Sequence, residues 1–156
     1  MYILLSMPST PRSRTAALPD CTCFNLRKAA RAVTQLYDEF LRPANLRATQ
    51  FSLLSVLDQA GALSVTRLAE YAVTDRTTLT RNLELLQREG LVRVRPGADA
   101  RVREVSLTPA GRERLLAALP HWERAQARVT SRLGGARTQR FLADLSAAVA
   151  AAQGEH

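Results

Sequence analysis

The sequence predicts a mainly α fold with a small β-hairpin wing, arranged as a winged helix-turn-helix between N- and C-terminal helices. In the run Ser64–Gly111, two short helix-like segments precede a basic hairpin and the start of another helix. The second of these segments, Asp75–Glu89, carries Leu79, Leu83 and Leu86 on one face and Thr and Arg side chains on the other. An amphipathic helix of this kind, beside an Arg-bearing hairpin, suits a DNA groove and its flanking phosphates.

Composition favours one globular domain whose partner is an anion. The chain has 156 residues and a formal net charge of +8, carried mostly by Arg. A basic domain is attracted to polyanions, of which nucleic acid is the commonest. A GC-rich genome would also raise the Arg and Ala content. The positions of the Arg residues therefore have to distinguish nucleic-acid binding from a bias in composition. No stretch approaches the length of a membrane span, and two Cys do not make a secreted disulfide framework, so we expect a cytoplasmic protein with no membrane partner.

The N-terminal half is predicted to form a tail followed by four helices. Residues 6–19 are rich in Ser, Thr, Pro and Arg, and residues 1–19 are expected to form a disordered tail. Asp20 is a candidate N-cap for a helix over about Cys21–Leu41, and a second helix covers about residues 49–59. Ser64 caps a short third helix, and Thr74 or Asp75 caps the fourth, which ends at Gly90.

The C-terminal half is predicted to form a hairpin and two helices. Leu91–Arg95 and Val102–Leu107 are β-rich runs joined around a Pro96-Gly97 turn. Thr108-Pro109 begins a long helix that continues to about Leu133, with a kink expected at Pro120. An Ala-rich helix follows the Gly134-Gly135 break. The terminal helices exceed what a small winged module needs, so we expect them to form a homodimer that binds a pseudo-palindromic site in double-stranded DNA.

The candidate DNA contacts lie on the fourth helix, at its preceding turn and on the wing. The first turns of a recognition helix contact base edges, where Thr and Arg supply suitable hydrogen bonds. An Arg at a hairpin tip fits a narrow minor groove, and we expect Asp99 to pair with an Arg there. The alternatives are a solvated helix face and an ordinary charged turn, and Arg93 and Arg95 fit a solvated strand face. The candidate set is Ser64, Arg76, Thr77, Thr78, Arg81, Arg101 and Arg103.

The middle of the chain resembles the MarR (multiple antibiotic resistance regulator) family of winged-helix transcription factors. The specific part is the wing pattern, Asp99-x-Arg101-x-x-x-Val105-x-Leu107-Thr108-x-x-Gly111. The stretch Asp75–Arg81 is similar to the family's recognition-helix start, and Glu89–Val92 to its exit. The resemblance implies one MarR-like domain over residues 20–152, with a DNA-binding part at about 49–107 and interlocking dimerisation helices at about 20–42 and 109–152. It also implies that Arg101 meets the minor groove and that Thr77, Thr78 and Arg81 contact DNA from the recognition helix. A further implication is that a signal is sensed near the junction of the dimerisation and DNA-binding regions.

Two further groups of residues are candidates for sensing. Cys21 and Cys23, one residue apart at a helix start, suit an oxidation switch or a soft metal or metalloid, because a helix N-terminus lowers thiol pKa. Two thiols are too few for a structural zinc site, and Cys is also a common small apolar residue, so no metal site is assigned. A second group would line a pocket for a small aromatic or lipophilic effector, although a Trp on a helix stripe is more often core: Tyr37, Phe51, His121 and Trp122.

These features favour a dimeric DNA-binding transcriptional regulator, a repressor released by a small ligand. No catalytic triad, phosphate-binding Gly loop or His-rich metal motif occurs, so neither an enzyme nor a cofactor is expected. Two alternatives remain open at this point. One is a thiol- or metalloid-responsive regulator acting through Cys21 and Cys23, and the other is a winged-helix protein–protein adaptor that does not bind DNA.

Overall fold

The computed structural model describes residues 20–99 and 101–154, so the tail expected over residues 1–19 lies outside the described residues. It confirms the mainly helical winged fold with a small antiparallel sheet. The elements follow in the order α1 (Thr22–Leu41), a 3-10 turn (Arg42–Ala44), α2 (Ala48–Ala60), β1 (Leu63–Ser64), α3 (Val65–Tyr71), α4 (Arg76–Arg88), β2 (Val92–Pro96), β3 (Arg103–Leu107), α5 (Pro109–Leu133) and α6 (Gly135–Gln153).

The chain divides into two compact units, one ending at Gln35 and the other beginning at Leu36. In the first unit, the described residues run from Asp20 to Gln35, and those from Thr22 onward form the N-terminal part of α1. Phe24, Leu26 and Val33 are exposed there, with 37–45% of their surface accessible to solvent. Leu26 and Val33, seven residues apart, share one exposed face of this part of α1, whereas Phe24 lies on the opposite side.

The core of the second unit lies under the helix-turn-helix and the wing. It draws on α2, α3, α4 and the sheet, and its helices bury the apolar positions that the helical spacing predicts. Burial of each such side chain contributes about 1.5–3 kcal/mol. The largest fully buried side chains are Leu41, Leu54, Leu57, Leu68, Leu79, Leu86, Leu91 and Val105.

The sheet has three strands in the order β1-β3-β2, so the wing is more than a hairpin. The two-residue strand β1 pairs antiparallel with β3, placing Leu63 opposite Val105. The predicted position of the wing turn, at Pro96-Gly97, is wrong, because Pro96 is the last residue of β2 and pairs with Arg103. The tip is closed instead by hydrogen bonds from Gly97 N to Val102 O at 2.7 Å and from Val102 N to Asp99 O at 2.8 Å.

Three helix N-termini are capped at residues that the sequence indicates. Ser64 Oγ accepts from Arg67 N at 3.1 Å, Asp75 Oδ1 from Thr78 N at 2.9 Å and Thr108 Oγ1 from Gly111 N at 3.0 Å. These side chains satisfy amide groups that the first helical turn leaves without partners.

The observed bounds of the other helices agree with the predicted bounds or differ from them slightly. α1 begins at Thr22, so Cys21 rather than Asp20 precedes it. α5 runs through Pro120 and ends at Leu133, where Gly134 adopts a positive φ of 86°. Within residues 20–99 and 101–154, no helix combines the length and apolar character that crossing a membrane requires.

Candidate nucleic-acid interface

The recognition-helix candidate α4 has one buried face and one free face. Leu79, Leu83 and Leu86 are at most 3% exposed, as the i, i+4, i+7 spacing predicts. Thr77 and Arg81 lie on the opposite, exposed surface. The packing therefore fixes the orientation of α4 and leaves its first two turns open to a partner.

Hydrogen bonds already occupy some of the polar side chains of α4. Thr78 Oγ1 donates to Asp75 Oδ2 at 2.7 Å, and Thr80 Oγ1 donates to the carbonyl of Arg76 at 2.7 Å. The hydroxyl and backbone amide of Thr78 lower the pKa of Asp75, because both hydrogen bonds favour its charged form. In the described part of the chain, Thr77 and Arg81 have no such partner, so their side chains are available to base edges or phosphates.

Three of the candidate Arg residues meet in one cleft between α4 and the wing, here called the arginine cleft. Its volume is about 480 Å³, and Arg76 of α4 faces it together with Arg101 and Arg103 of the wing. Glu84 is the acidic residue in its lining. Concentrated positive charge of this kind attracts phosphate. Because α4 and the wing both line the arginine cleft, they lie on the same side of the domain.

Ser64 and Asp99 take local structural roles. The half-buried Ser64 serves as the α3 cap described above. At the wing tip, Asp99 Oδ1 accepts from the backbone amide of Arg101 at 2.9 Å. The expected pairing of Asp99 with an Arg is therefore corrected to a contact with the Arg101 backbone, which shapes the tip.

Sequence reasoning missed several polar residues of the arginine cleft. Thr66, Thr80 and Gln87 also line it. The spacing of Arg76, Thr80, Glu84 and Gln87 at three or four residues is a helical stripe, and this signal could have identified the last three. Thr66 depends on the folded position of α3, which the local sequence does not reveal.

The four residues of the expected effector pocket are engaged mainly with other protein groups. The rings of Phe51 and Trp122 stack with centroids 5.9 Å apart at an interplanar angle of 15°. Tyr37 Oη donates to Gln126 Oε1, and burial raises the pKa of Tyr37. The structure brings Phe51 and Trp122 together as core packing, whereas Arg124 Nη2 lies 2.6 Å from His121 Nδ1.

The two thiols lie at the start of α1. Cys21 is half-buried and precedes the helix, whereas Cys23 lies in its first turn and is exposed, and both are free. Among the residues that the structure describes, no group of three or more His, Cys, Asp or Glu side chains is arranged to hold a metal ion.

The geometry has counterparts among known proteins. The sequence model of the MarR family matches residues 46–102. The Mycobacterium tuberculosis transcriptional regulator MosR, solved in complex with DNA, is 45% identical, and the match covers 85% of this chain and 98% of MosR with a TM-score of 0.75.

Two curated relatives come from Bacillus subtilis (strain 168). The organic hydroperoxide resistance transcriptional regulator is 32% identical over 90 residues, and the match covers 57% of this chain and 61% of the relative. The uncharacterized HTH-type transcriptional regulator YwoH is 30% identical over 83 residues, covering 53% of this chain and 61% of the relative. The chain thus matches less than two thirds of the length of either. The family match at the helix-turn-helix, together with the nearly full-length similarity to MosR, shows that the chain belongs to the MarR family of transcriptional regulators.

Proposed function

We propose that the protein is a homodimeric transcriptional repressor that binds a pseudo-palindromic site in double-stranded DNA. The observation that carries the proposal is the placement of α4 and the wing around the arginine cleft. α4 offers Thr77 and Arg81 to base edges, and Arg76, Arg101 and Arg103 supply positive charge for phosphates. Such a regulator acts on the chromosome, and therefore in the cytoplasm.

The similarity to MosR supports the DNA partner. MosR was crystallised with DNA, and it aligns with this chain over nearly its whole length. In this proposal phosphate contacts supply most of the affinity, whereas α4 selects the sequence.

Uncovered apolar surface on the terminal helices supports the homodimer. Large apolar side chains are 37–55% exposed at Phe24, Leu26 and Val33 on α1, Leu116 on α5, and Phe141, Leu142 and Val149 on α6. Exposed apolar patches commonly mark an interface. In a two-fold dimer, the two α4 helices would contact half-sites about one helical turn apart, roughly 34 Å.

The proposal is tested by footprinting on genomic DNA, followed by fluorescence anisotropy on the site found. Full-length protein should bind the intact site at least tenfold more tightly than a half-site. Arg81→Ala should weaken binding at least tenfold, because a good Arg–base contact contributes about 1–3 kcal/mol. Arg93→Ala is the matched control, since Arg93 lies exposed on β2 outside the lining of the arginine cleft. Absence of any DNA binding would favour the protein–protein adaptor instead.

A second candidate, regulation by thiol oxidation, rests on the positions of Cys21 and Cys23. Cys21 lies just before α1 and Cys23 lies in its first turn, and both thiols are free. A two-electron oxidant would take two electrons and two protons from the thiols and leave one disulfide. Diamide should then change DNA affinity in the wild type, and arsenite tests the metalloid alternative. An unchanged response in the Cys21→Ser, Cys23→Ser variant would exclude these thiols.

A further inference from the structure

An arginine-rich surface lies at the end of α5 that is far from the wing. Residues 124–143 contain five Arg and no Asp or Glu, so this stretch contributes +5 to the formal net charge of +8. By contrast, Asp75–Glu89, which includes the recognition helix, contains three Arg and three acidic residues and is neutral overall. We call the surface the distal arginine patch, and its members are Arg124, Arg128, Arg132, Arg137 and Arg140.

The helical period brings three of these arginines together. Arg124, Arg128 and Arg132 follow one another at intervals of four residues on α5, so they lie on one side of that helix, roughly 6 Å apart along its axis. α6 begins directly after Gly134, and its first two turns carry the other two members. The distal arginine patch therefore continues from the last turns of α5 onto the start of α6.

The positive charge of the distal arginine patch is not compensated within the protein. All five side chains are exposed, and in the described part of the chain none of them forms an ion pair. Arg124 Nη2 lies 2.6 Å from His121 Nδ1, a contact that supplies no negative charge. Like charges at such spacing repel one another, so an anionic ligand would stabilise this surface.

We propose that the distal arginine patch binds the phosphate backbone of a second DNA duplex, while α4 and the arginine cleft hold the first. The guanidinium group offers a planar fork of donors that matches the oxygens of a phosphate. The repeat of roughly 6 Å along α5 is close to two base-pair steps of one DNA strand, about 6.8 Å. Successive arginines of α5 can thus neutralise alternate phosphates. The protein would then bridge two duplexes, which goes beyond the proposed function because the second duplex needs no particular sequence.

The position of the distal arginine patch favours a second duplex over a longer contact with the first. α5 starts directly after the wing strand β3, and Arg124 lies about 22 Å and Arg132 about 35 Å from Pro109 along the helix. DNA is stiff, with a persistence length of about 150 base pairs. A duplex seated on α4 and the wing would have to bend to reach the far end of α5, whereas a second duplex binds there without bending.

The neighbours of these arginines favour DNA over a folded acidic protein. Protein interfaces are anchored by aromatic or other large side chains that become buried in pockets. The exposed residues of α5 between positions 123 and 132 include no aromatic or large apolar side chain, and Ala127 and Ser131 lie beside the arginines. Residues 1–19 carry two Arg and no Asp or Glu, so their charge also argues against this segment of the chain as the occupant.

Binding by the distal arginine patch is tested first in a protein whose arginine cleft is disabled by Arg76→Ala and Arg101→Ala. We expect this protein to bind a random-sequence duplex at low salt. Adding Arg124→Gln, Arg128→Gln and Arg132→Gln, together called the patch variant, should weaken that binding at least tenfold. The slope of log K against log salt should become less steep by about 0.9 for each phosphate that is no longer neutralised.

The matched control removes the same charge from another terminal helix. Arg27→Gln, Lys28→Gln and Arg31→Gln together replace three exposed cations of α1, and Gln is a good helix former in both sets. The control should keep the affinity for the random-sequence duplex within twofold. Equal weakening by the control and the patch variant would show a general effect of net charge and would overturn the proposal, as would unchanged binding in the patch variant.

Simultaneous binding of two duplexes is measured with the arginine cleft intact. A duplex that carries the footprinted site is immobilised, loaded with full-length protein and exposed to a labelled random-sequence duplex. The wild type should retain the labelled duplex, and the three Gln substitutions on α5 should lower retention at least fivefold without weakening occupancy of the immobilised site relative to the α1 control. If the wild type retains no second duplex, or if the substitutions on α5 leave retention unchanged, the proposal is wrong.

Two further outcomes identify a different ligand or a different failure. Displacement of the labelled duplex by poly-glutamate as readily as by unlabelled DNA of equal charge would assign the surface to an acidic protein and contradict the proposal. Failure to find any specific site by footprinting would instead refute the proposed function. The measurement with random-sequence DNA on the protein with a disabled arginine cleft would still decide whether the distal arginine patch binds DNA.

Discussion

The hydroxyl of Thr108 donates a hydrogen bond to the carbonyl oxygen of Gly90 at 2.6 Å. Gly90 follows α4 with a φ of 72°, and Thr108 caps α5. The same hydroxyl oxygen accepts from Gly111 N at 3.0 Å. One side chain therefore joins the end of the recognition helix to the start of the long helix that we assign to the dimer.

Replacing Thr108 by Val should lower the free energy of unfolding by about 1–3 kcal/mol, because the variant removes a helix cap and a hydrogen bond at similar side-chain volume. Urea denaturation measures the change. Thr108→Ser keeps the hydroxyl and should retain most of the stability. Equal destabilisation of the two variants would mean that the methyl group, and not the hydroxyl, stabilises the junction.

Gly111→Ala should be among the most destabilising single-methyl additions in the chain. A Cβ at this position would lie 2.0 Å from the carbonyl oxygen of Leu91, which is a backbone atom with little freedom to move. We expect destabilisation by about 3 kcal/mol or more, the upper end for overpacking. Gly135→Ala is the control, because a Cβ there meets nothing within 4 Å. A thermal melt in which Gly111→Ala is as stable as the wild type would contradict the close packing of α5 on Leu91.

Val73, in the turn between α3 and α4, adopts a φ of 48°, a conformation that β-branched residues rarely take. It is 57% exposed, so removal of the side chain sacrifices little buried surface. Val73→Gly should therefore preserve or raise the melting temperature, since relief of about 1–2 kcal/mol of strain offsets the added chain entropy. Val33→Gly, within helix α1, should lower it. A large decrease in Val73→Gly would show that this turn is not strained.

The carboxyl group of Asp75 should titrate below its ordinary pKa of 3.8, because it accepts hydrogen bonds from the Thr78 hydroxyl and amide. A pKa that is lower in the folded state means stabilisation that is present above pH 3.8 and is lost as the pH falls through the folded value. Carboxyl ¹³C NMR should show a higher Asp75 pKa in Thr78→Val than in the wild type. Identical titrations would exclude the hydroxyl as the main cause.

Local sequence signals predicted the helix ends well, and tertiary contacts explain where they failed. Ser64, Asp75 and Thr108 could be assigned as caps because each acts within three residues of itself. β1 could not be predicted, since two residues become a strand only through pairing with β3, about forty positions later in the chain.

The candidate site shows the same division between local and tertiary information. The helical period separates the leucines of α4 from its exposed Thr and Arg residues. It does not reveal that the wing folds back to place Arg101 and Arg103 beside Arg76. Nor could it show that Phe51 and Trp122 stack on each other.

The salt dependence of DNA binding tests whether α4 and the wing form the DNA-binding surface. Dissociation constants for the footprinted site are measured by anisotropy from about 50 to 200 mM salt. Over roughly this range, a protein with several phosphate contacts loses orders of magnitude in DNA affinity. For Arg76→Ala and for Arg101→Ala, we expect weaker binding and a slope of log K against log salt that is less steep by about 0.9 for each phosphate that the variant no longer neutralises. Arg93→Ala should keep the wild-type slope. Wild-type affinity and slope in both arginine-cleft variants would contradict the assignment of α4 and the wing as the DNA-binding surface.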